Sequence, residues 1–364
     1  MTVNLRGFTL EEVQKIILNL GEPLYRGKQV YHWITAKSAI SFDEMTDLPK
    51  ALREKLKDHF DLSLPVVIQR VSDEEGTTKF ALKLADEKII ETVLIPERDH
   101  FTLCVSTQVG CAMGCSFCLT GKTGFMRNLE VHEIISQVVV AKRFLKERGE
   151  KLPLRNIVFM GMGEPLANYE NLLKALQILA DKEGFNFSRK RLTVSTVGIV
   201  EKMLALAKDF PVALALSLHA PTDELRAQLM PIAKKYPIKS LLEALKVFPR
   251  IKKGRHTIEY VILKGINDSL DDAHRLAKLF KDMPVKINLI PFNPHPELPF
   301  ERPEDPVLEK FQKFLLSKGI LTTVRKSKGL KISAACGHLS AKHQLFQNHS
   351  FHKPSLSSAY SLTL

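Results

Sequence analysis

The sequence has no apolar run long enough to cross a bilayer; its longest, such as residues 212–218, has the length of one strand and stops at His219. The opening stretch, MTVNLRGFTLEEVQ, meets charge within a few residues and has no apolar export core, so a protein off the membrane, acting in the cytoplasm, is expected. Acidic residues are in short supply. There are 40 of them against 53 Lys and Arg, giving a net charge of +13. The excess is clustered at Arg189-Lys190-Arg191, Lys234-Lys235, 250–255 and 325–331, as a polyanionic partner such as nucleic acid would require. Cysteine is scarce and odd in number, five in 364 residues, which argues against a disulfide framework.

What is present divides the chain in three. Residues 1–97 form a front piece with helical spacing at 8–20, 26–34 and 48–60, then strand character at 66–71, 78–84 and 88–95. This predicts a small helical module feeding a short antiparallel sheet. Residues 98–340 alternate apolar strands with amphipathic stretches; strands are expected at 101–106, 156–160, 191–195, 212–218, 257–263, 286–290 and 321–324. The fold class is therefore α/β, a parallel sheet with crossover helices, and the count favours a partial (β/α)6 barrel over a closed one. Residues 341–364 are Ser-, His- and Lys-rich without an acidic residue, and read as a flexible basic tail.

Three of the five cysteines fall in Cys111-Ala-Met-Gly-Cys115-Ser-Phe-Cys118. Thiolates packed this tightly suit zinc, copper or an iron–sulfur cluster. Zinc usually closes with four ligands in two separated pairs, and only Cys104 lies near enough in sequence to complete such a site. Three ligands on a four-iron cluster leave one iron open to a further molecule.

Four more polar segments sit at the carboxyl ends of expected strands, where parallel α/β proteins place their chemistry. They are Gly161 to Pro165, Ser195-Thr196, Ser217-Leu218-His219 and Asn293-Pro294. The glycines permit close approach, Glu164 can accept from an ammonium group, and Ser195, Ser217 and Asn293 offer hydrogen bonds to ribose or carboxylate.

The Cys-x3-Cys-x2-Cys loop resembles that of the radical S-adenosylmethionine superfamily. With Glu91-Thr92-Val93, the run from Cys104 to Cys111, Met160 to Pro165, Ser217 to His219 and Ala334-Ala335-Cys336-Gly337, the chain resembles the RlmN/Cfr family of radical methyltransferases, and its RlmN branch most. The resemblance implies a [4Fe–4S] cluster on Cys111, Cys115 and Cys118. It also implies S-adenosylmethionine contacts at Gly163, Glu164, Ser195, Ser217, Leu218, His219 and Asn293. The implied activity is methylation of C2 of adenosine in 23S rRNA and in tRNA by a monomer supplied with electrons by flavodoxin or ferredoxin.

That carbon is electron-poor, so polar methyl transfer fails there. The resemblance implies two steps instead. Cys336 takes a methyl group by displacement from one S-adenosylmethionine. A 5′-deoxyadenosyl radical from a second then activates that methyl, which adds to the ring. Glu91 removes the ring proton, and Cys104 forms a disulfide with Cys336 to release the product. The family's last motif carries Asp where this chain has Lys331, and Gln where it has His338. Three rival readings remain: a C8 methyltransferase of the Cfr kind, which would share every residue named; a zinc module that only binds RNA; and a radical activase of another protein, which has no use for Cys104 and Cys336 together.

Overall fold

The computed structural model describes residues 3–251, 254–325, 328–329, 332–334 and 337–339. Cys336, Lys331 and the expected tail lie outside the described residues.

The front module is helical because its apolar residues recur at helical spacing between clear stop signals. Helix α1 (Leu10–Asn19) starts at a capping box in which Thr9 and Glu12 bond each other's main chain, and it ends before Gly21 at φ 77°. With α2 (Leu24–Ile34) and α3 (Lys50–His59) it encloses a small core of Leu5, Val13, Ile17, Val30, Ile34, Leu52 and Leu56. Arg6 is buried in that core, where its guanidinium donates to the carbonyls of Ile34, Ala39 and Leu62. One charged group thus satisfies a helix-end carbonyl and two others that would be stranded without it.

The large sheet has ten strands, and they lie side by side in sequence order. Three are antiparallel: β1 (Val66–Ser72), β2 (Thr78–Lys83) and β3 (Ile89–Pro96). The other seven run parallel: β4 (Phe101–Cys104), β5 (Leu154–Phe159), β6 (Leu192–Thr196), β7 (Ala213–Ser217), β8 (His256–Ile262), β9 (Val285–Pro291) and β10 (Leu321–Val324). Each parallel step is bridged by helix, as parallel pairing demands. The bridges are α4 (Val131–Glu147), α5 (Tyr169–Ala180), α6 (Val200–Asp209), α7 (Asp223–Leu229) with α8 (Ile238–Val247), α9 (Leu270–Leu279) and α10 (Asp305–Ser317). The sheet is open, its edges being β1 and β10.

The front strands do not close a sheet of their own. β3 pairs antiparallel with β4, Val93 opposite Cys104, so they extend the parallel sheet by three strands. Periodicity shows that a segment is a strand but not which neighbour it will join. Among the described residues no helix is long and apolar enough to cross a membrane.

A candidate cofactor and iron–sulfur site at the strand ends

The carboxyl ends of β5 to β10 surround a cleft open to solvent. Gly163, Glu164, Ser195, Ser217, His219 and Asn293 all line it, beside Cys118 of the cysteine loop. Leu218 does not. Its side chain is fully buried in the main core, while its amide donates to Glu259 O at 3.1 Å.

Glu164 is buried, and its two carboxylate oxygens accept from the amides of Leu166 (3.0 Å) and Val197 (2.9 Å). Burial pushes its carboxyl up to about 7, against the pull of those donors. Gly163 precedes it at φ +98°, and any Cβ there would stand 2.5 Å from Gln108 Cβ. The glycine is required by the protein's own packing rather than by approach to a ligand alone. Gln108 in turn accepts from the Glu164 amide through Oε1, 2.9 Å away.

His219 occupies the left-handed region at φ 60°. Its Nδ1 accepts from Val261 N at 2.9 Å, which leaves the ring proton on Nε2. Burial, with the charge of Arg226 behind it, pushes its pKa down to about 3, so the ring is neutral at physiological pH. Phe117 of the cysteine loop stands edge-on to it, 4.9 Å between centroids.

A row of polar groups crosses the sheet beneath these residues. Ser195 Oγ lies 3.4 Å from Ser217 Oγ, and Ser217 pairs with Glu259 on β8. Glu259 Oε1 accepts from Asn288 on β9 (3.2 Å), and Asn288 Oδ1 accepts from Thr323 on β10 (2.6 Å). Sequence reasoning named only the two serines. The available signal for Glu259 was a single carboxylate in the middle of the mostly buried strand HTIEYVI. Behind the row, buried Arg226 donates to the carbonyls of Val197 (2.6 Å), Tyr236 (3.1 Å) and Leu218 (3.2 Å), clamping the ends of β6 and β7. Burial lowers its pKa to about 10, where it remains charged.

The cysteine loop begins at Gly110, whose φ of +74° and contact with Gly124 O leave no room for a Cβ. Cys111 N donates to Gly124 O at 3.0 Å, and Ser116 N to Leu229 O at 2.9 Å. Burial raises the Cys115 thiol well above its ordinary value, and the neighbouring Cys118 and Cys111 raise it further. Burial and Cys118 likewise push Cys111 up to about 12. Three thiols that oppose one another's ionisation gain from a cationic group among them, because metal ligation replaces the protons. Among the described residues no three His, Cys, Asp or Glu side chains meet at one point as a single ion requires.

Two buried oxygens on the cleft wall, Glu259 Oε2 and Asn293 Oδ1, have no hydrogen-bond partner among the described residues. Buried acceptors left in this way are the places where a ligand's donors fit. The donor set therefore suits the cluster and S-adenosylmethionine that the sequence implies.

Glu91 and Cys104 come together on one face of the sheet. Val93 is opposite Cys104, and Glu91 is two residues from Val93, on the same side of β3. Glu91 is fully buried and pairs with Lys79 Nζ at 3.2 Å; Cys104 is 8% exposed at the end of β4. Described residues on both sides of Cys336 are anchored. Ser333 O accepts from Lys79 Nζ at 3.0 Å, Gly337 O from Leu119 N at 2.8 Å, and Leu339 O from Thr120 Oγ1 at 2.6 Å. His338 Nε2 stands 2.9 Å from Asn293 O and donates to it.

An open parallel barrel with a three-cysteine loop at its carboxyl mouth is the arrangement of a radical S-adenosylmethionine enzyme, and residues 105–277 match the model of the Radical SAM superfamily. Residues 3–62 match that of the ribosomal RNA large subunit methyltransferase N-terminal domain. The chain is 46% identical over 339 residues to the dual-specificity RNA methyltransferase RlmN of Solidesulfovibrio magneticus, covering 93% of this chain and 97% of that one. It is 46% identical over 340 residues to the RlmN of Geobacter sulfurreducens, covering 93% and 92%. The crystal structure of a radical SAM methyltransferase from Sphaerobacter thermophilus superposes with a TM-score of 0.88 at 43% identity, covering 93% of this chain and 99% of that one. The chain belongs to the RlmN family.

Proposed function

We propose that this protein methylates C2 of adenosine in 23S rRNA and in tRNA, with Cys336 as the methyl carrier. The observation that carries the reading is the convergence of the cysteine loop, the cofactor cleft and the Cys336-flanking segment at one end of the sheet. Leu119, the residue after Cys118, holds Gly337, the residue after Cys336.

Cys111, Cys115 and Cys118 would hold a [4Fe–4S] cluster, and Gly163, Glu164, Ser195, Ser217, His219 and Asn293 would hold S-adenosylmethionine. When bound, the cluster supplies the electron that cleaves the cofactor reductively. The protein's part is to place and shield. Glu164 accepts from the amino group of the ligand, Glu259 and Asn293 offer their unpartnered oxygens to ligand donors, and neutral His219 offers its Nε2 proton. Glu91 takes the proton from the adenine carbon, in a buried position that excludes water. Cys104, on the same face, releases the product by pairing with Cys336.

The relatives' designation as dual-specificity RNA methyltransferases and the net charge of +13 support an RNA substrate held largely through phosphate. The adenosine must leave its stack to reach the buried base. The enzyme would act in the cytoplasm as a monomer, reduced by flavodoxin or ferredoxin. Anaerobic reaction of reconstituted protein with 23S rRNA, followed by mass spectrometry and NMR of the modified adenosine, tests this. A methyl group on C2 is expected. A methyl on C8 would give the rival Cfr-like reading, and protein that gives no 5′-deoxyadenosine would end both.

A further inference from the structure

Away from the cofactor cleft, the described residues contain an ion pair with both partners inside the protein. Lys79 and Glu91 are 2% and 0% exposed, with Nζ and Oε1 3.2 Å apart. Strand register explains how they meet: Lys79 is opposite Val93 and Ala81 is opposite Glu91, so the two are diagonal neighbours on one face of β2 and β3. Val93 is opposite Cys104, which brings all three to that face. The same ammonium donates to Ser333 O at 3.0 Å, across 254 residues of sequence. A buried lysine is costly in the absence of partners, and burial does lower its pKa while Glu91 raises it. An apolar residue would fill this position more cheaply, so the charge calls for a reason.

We infer that Lys79 is a positioning residue for the reaction: its ammonium fixes the Glu91 carboxylate and, through Ser333, ties it to the segment that carries Cys336. The inference rests on the reading of Glu91 as proton acceptor. The step it serves is a proton transfer in which the ring C–H proton passes to a Glu91 oxygen and the bonding pair stays with the ring. Lys79 keeps its own protons. Without the ammonium, a carboxylate in this dry interior would hold its proton and could not accept another. The lost tether would also let the base and the methyl carrier move independently.

Lys79→Met, Lys79→Gln and Glu91→Gln in the reconstituted full-length enzyme, with a 23S rRNA fragment as substrate, separate the alternatives. Three quantities are read: S-methylation of Cys336 by protein mass, covalent protein–RNA adduct on a denaturing gel, and the pH profile of product formation. In the Lys79 variants, Cys336 methylation should stay at the wild-type level and adduct should accumulate. Product formation should fall by at least about tenfold at neutral pH, with its acid limb moved up by about one pH unit or more, so that alkaline buffer restores part of the rate. Lys79→Gln keeps donors for Glu91 and Ser333, and guards against a variant that does not fold. A wild-type pH profile in either Lys79 variant, or Cys336 methylation falling in step with product, would overturn the inference while leaving Glu91 in its role if Glu91→Gln is blocked. Normal turnover by Glu91→Gln would overturn the reading beneath it.

Discussion

The parallel and antiparallel parts of the sheet bury their polar groups in opposite ways. Across β6 to β10 the polar groups from Ser195 to Thr323 stand side by side, yet an oxygen of Glu259 is without a hydrogen-bond partner among the described residues at the cleft. On β2 and β3 a full charge pair, Lys79 Nζ 3.2 Å from Glu91 Oε1, is buried and tied to the main chain at Ser333. The first pattern is that of a surface completed by a ligand; the second, with Glu91 read as the proton acceptor, is that of a base held in a dry interior. A row with open acceptors gains from binding, whereas a buried charge pair tied to the main chain serves to fix geometry.

The largest effects should come from breaking what joins the two regions. Cys118→Ala should remove the cluster and with it all product, seen as loss of iron and of 5′-deoxyadenosine formation. Cys336→Ala should abolish methylation with the cluster intact, and Cys104→Ala should trap a covalent protein–RNA adduct visible on a denaturing gel. Normal turnover by either of the last two variants would remove the two-cysteine scheme.

Next in size is the parallel region's own support. Arg226→Met strands the carbonyls of Val197, Tyr236 and Leu218 in the interior. A loss of about 3 kcal/mol in unfolding free energy is expected, from a penalty of about 1–3 kcal/mol for each stranded group that cannot relax. Urea denaturation measures it. An unchanged midpoint would mean that the clamp is ornamental and that the strand ends hold themselves.

Smaller, and specific to the cleft, is the pH dependence of cofactor binding. The Glu164 carboxyl stands at about 7, and an amino donor binds only its ionised form. Affinity should therefore fall as pH drops through 7, by about tenfold between pH 8 and pH 6. Folding has the opposite sign: a carboxyl raised above its unfolded value binds protons preferentially in the folded state, so its contribution to stability weakens as pH rises from the unfolded value through 7. His219, already neutral above about 3, adds no step in this range. Binding titrations at the two pH values, repeated with Glu164→Gln, should show the dependence in the parent and lose it in the variant.

These regions were not equally legible. The cysteine loop, Gly161 to Pro165 and Ser217 to His219 are short motifs whose residues act as neighbours in sequence, and six of the seven residues named for the cofactor line one cleft. Strand positions were readable from apolar runs, down to β10 at Leu321–Val324. Glu259, Asn288, Arg226 and Lys79 were missed for one reason. Their meaning arises from partners on other strands or loops, fixed by register, and a lone buried charge looks in sequence like any solvated one. The joining of β3 to β4 escaped notice on the same ground.

The smallest expected effect concerns His338, where the family's motif carries Gln. Its Nε2 donates to Asn293 O, and burial lowers its pKa, so the neutral ring supplies that donor at physiological pH. A glutamine amide has a donor to offer the same carbonyl, so His338→Gln should leave cofactor affinity and stability within about 0.5 kcal/mol of the parent, the range of a substitution that breaks no buried contact. His338→Phe keeps the ring but removes the donor, leaving Asn293 O short of a partner beside the cleft. It should cost about 1 kcal/mol of stability and several-fold in affinity, read by thermal unfolding and by cofactor titration. If the glutamine variant lost as much as the phenylalanine one, the imidazole would be serving the site through its second nitrogen or its ring face, and this chain's departure from the family pattern would be functional rather than a substitution of one donor for another.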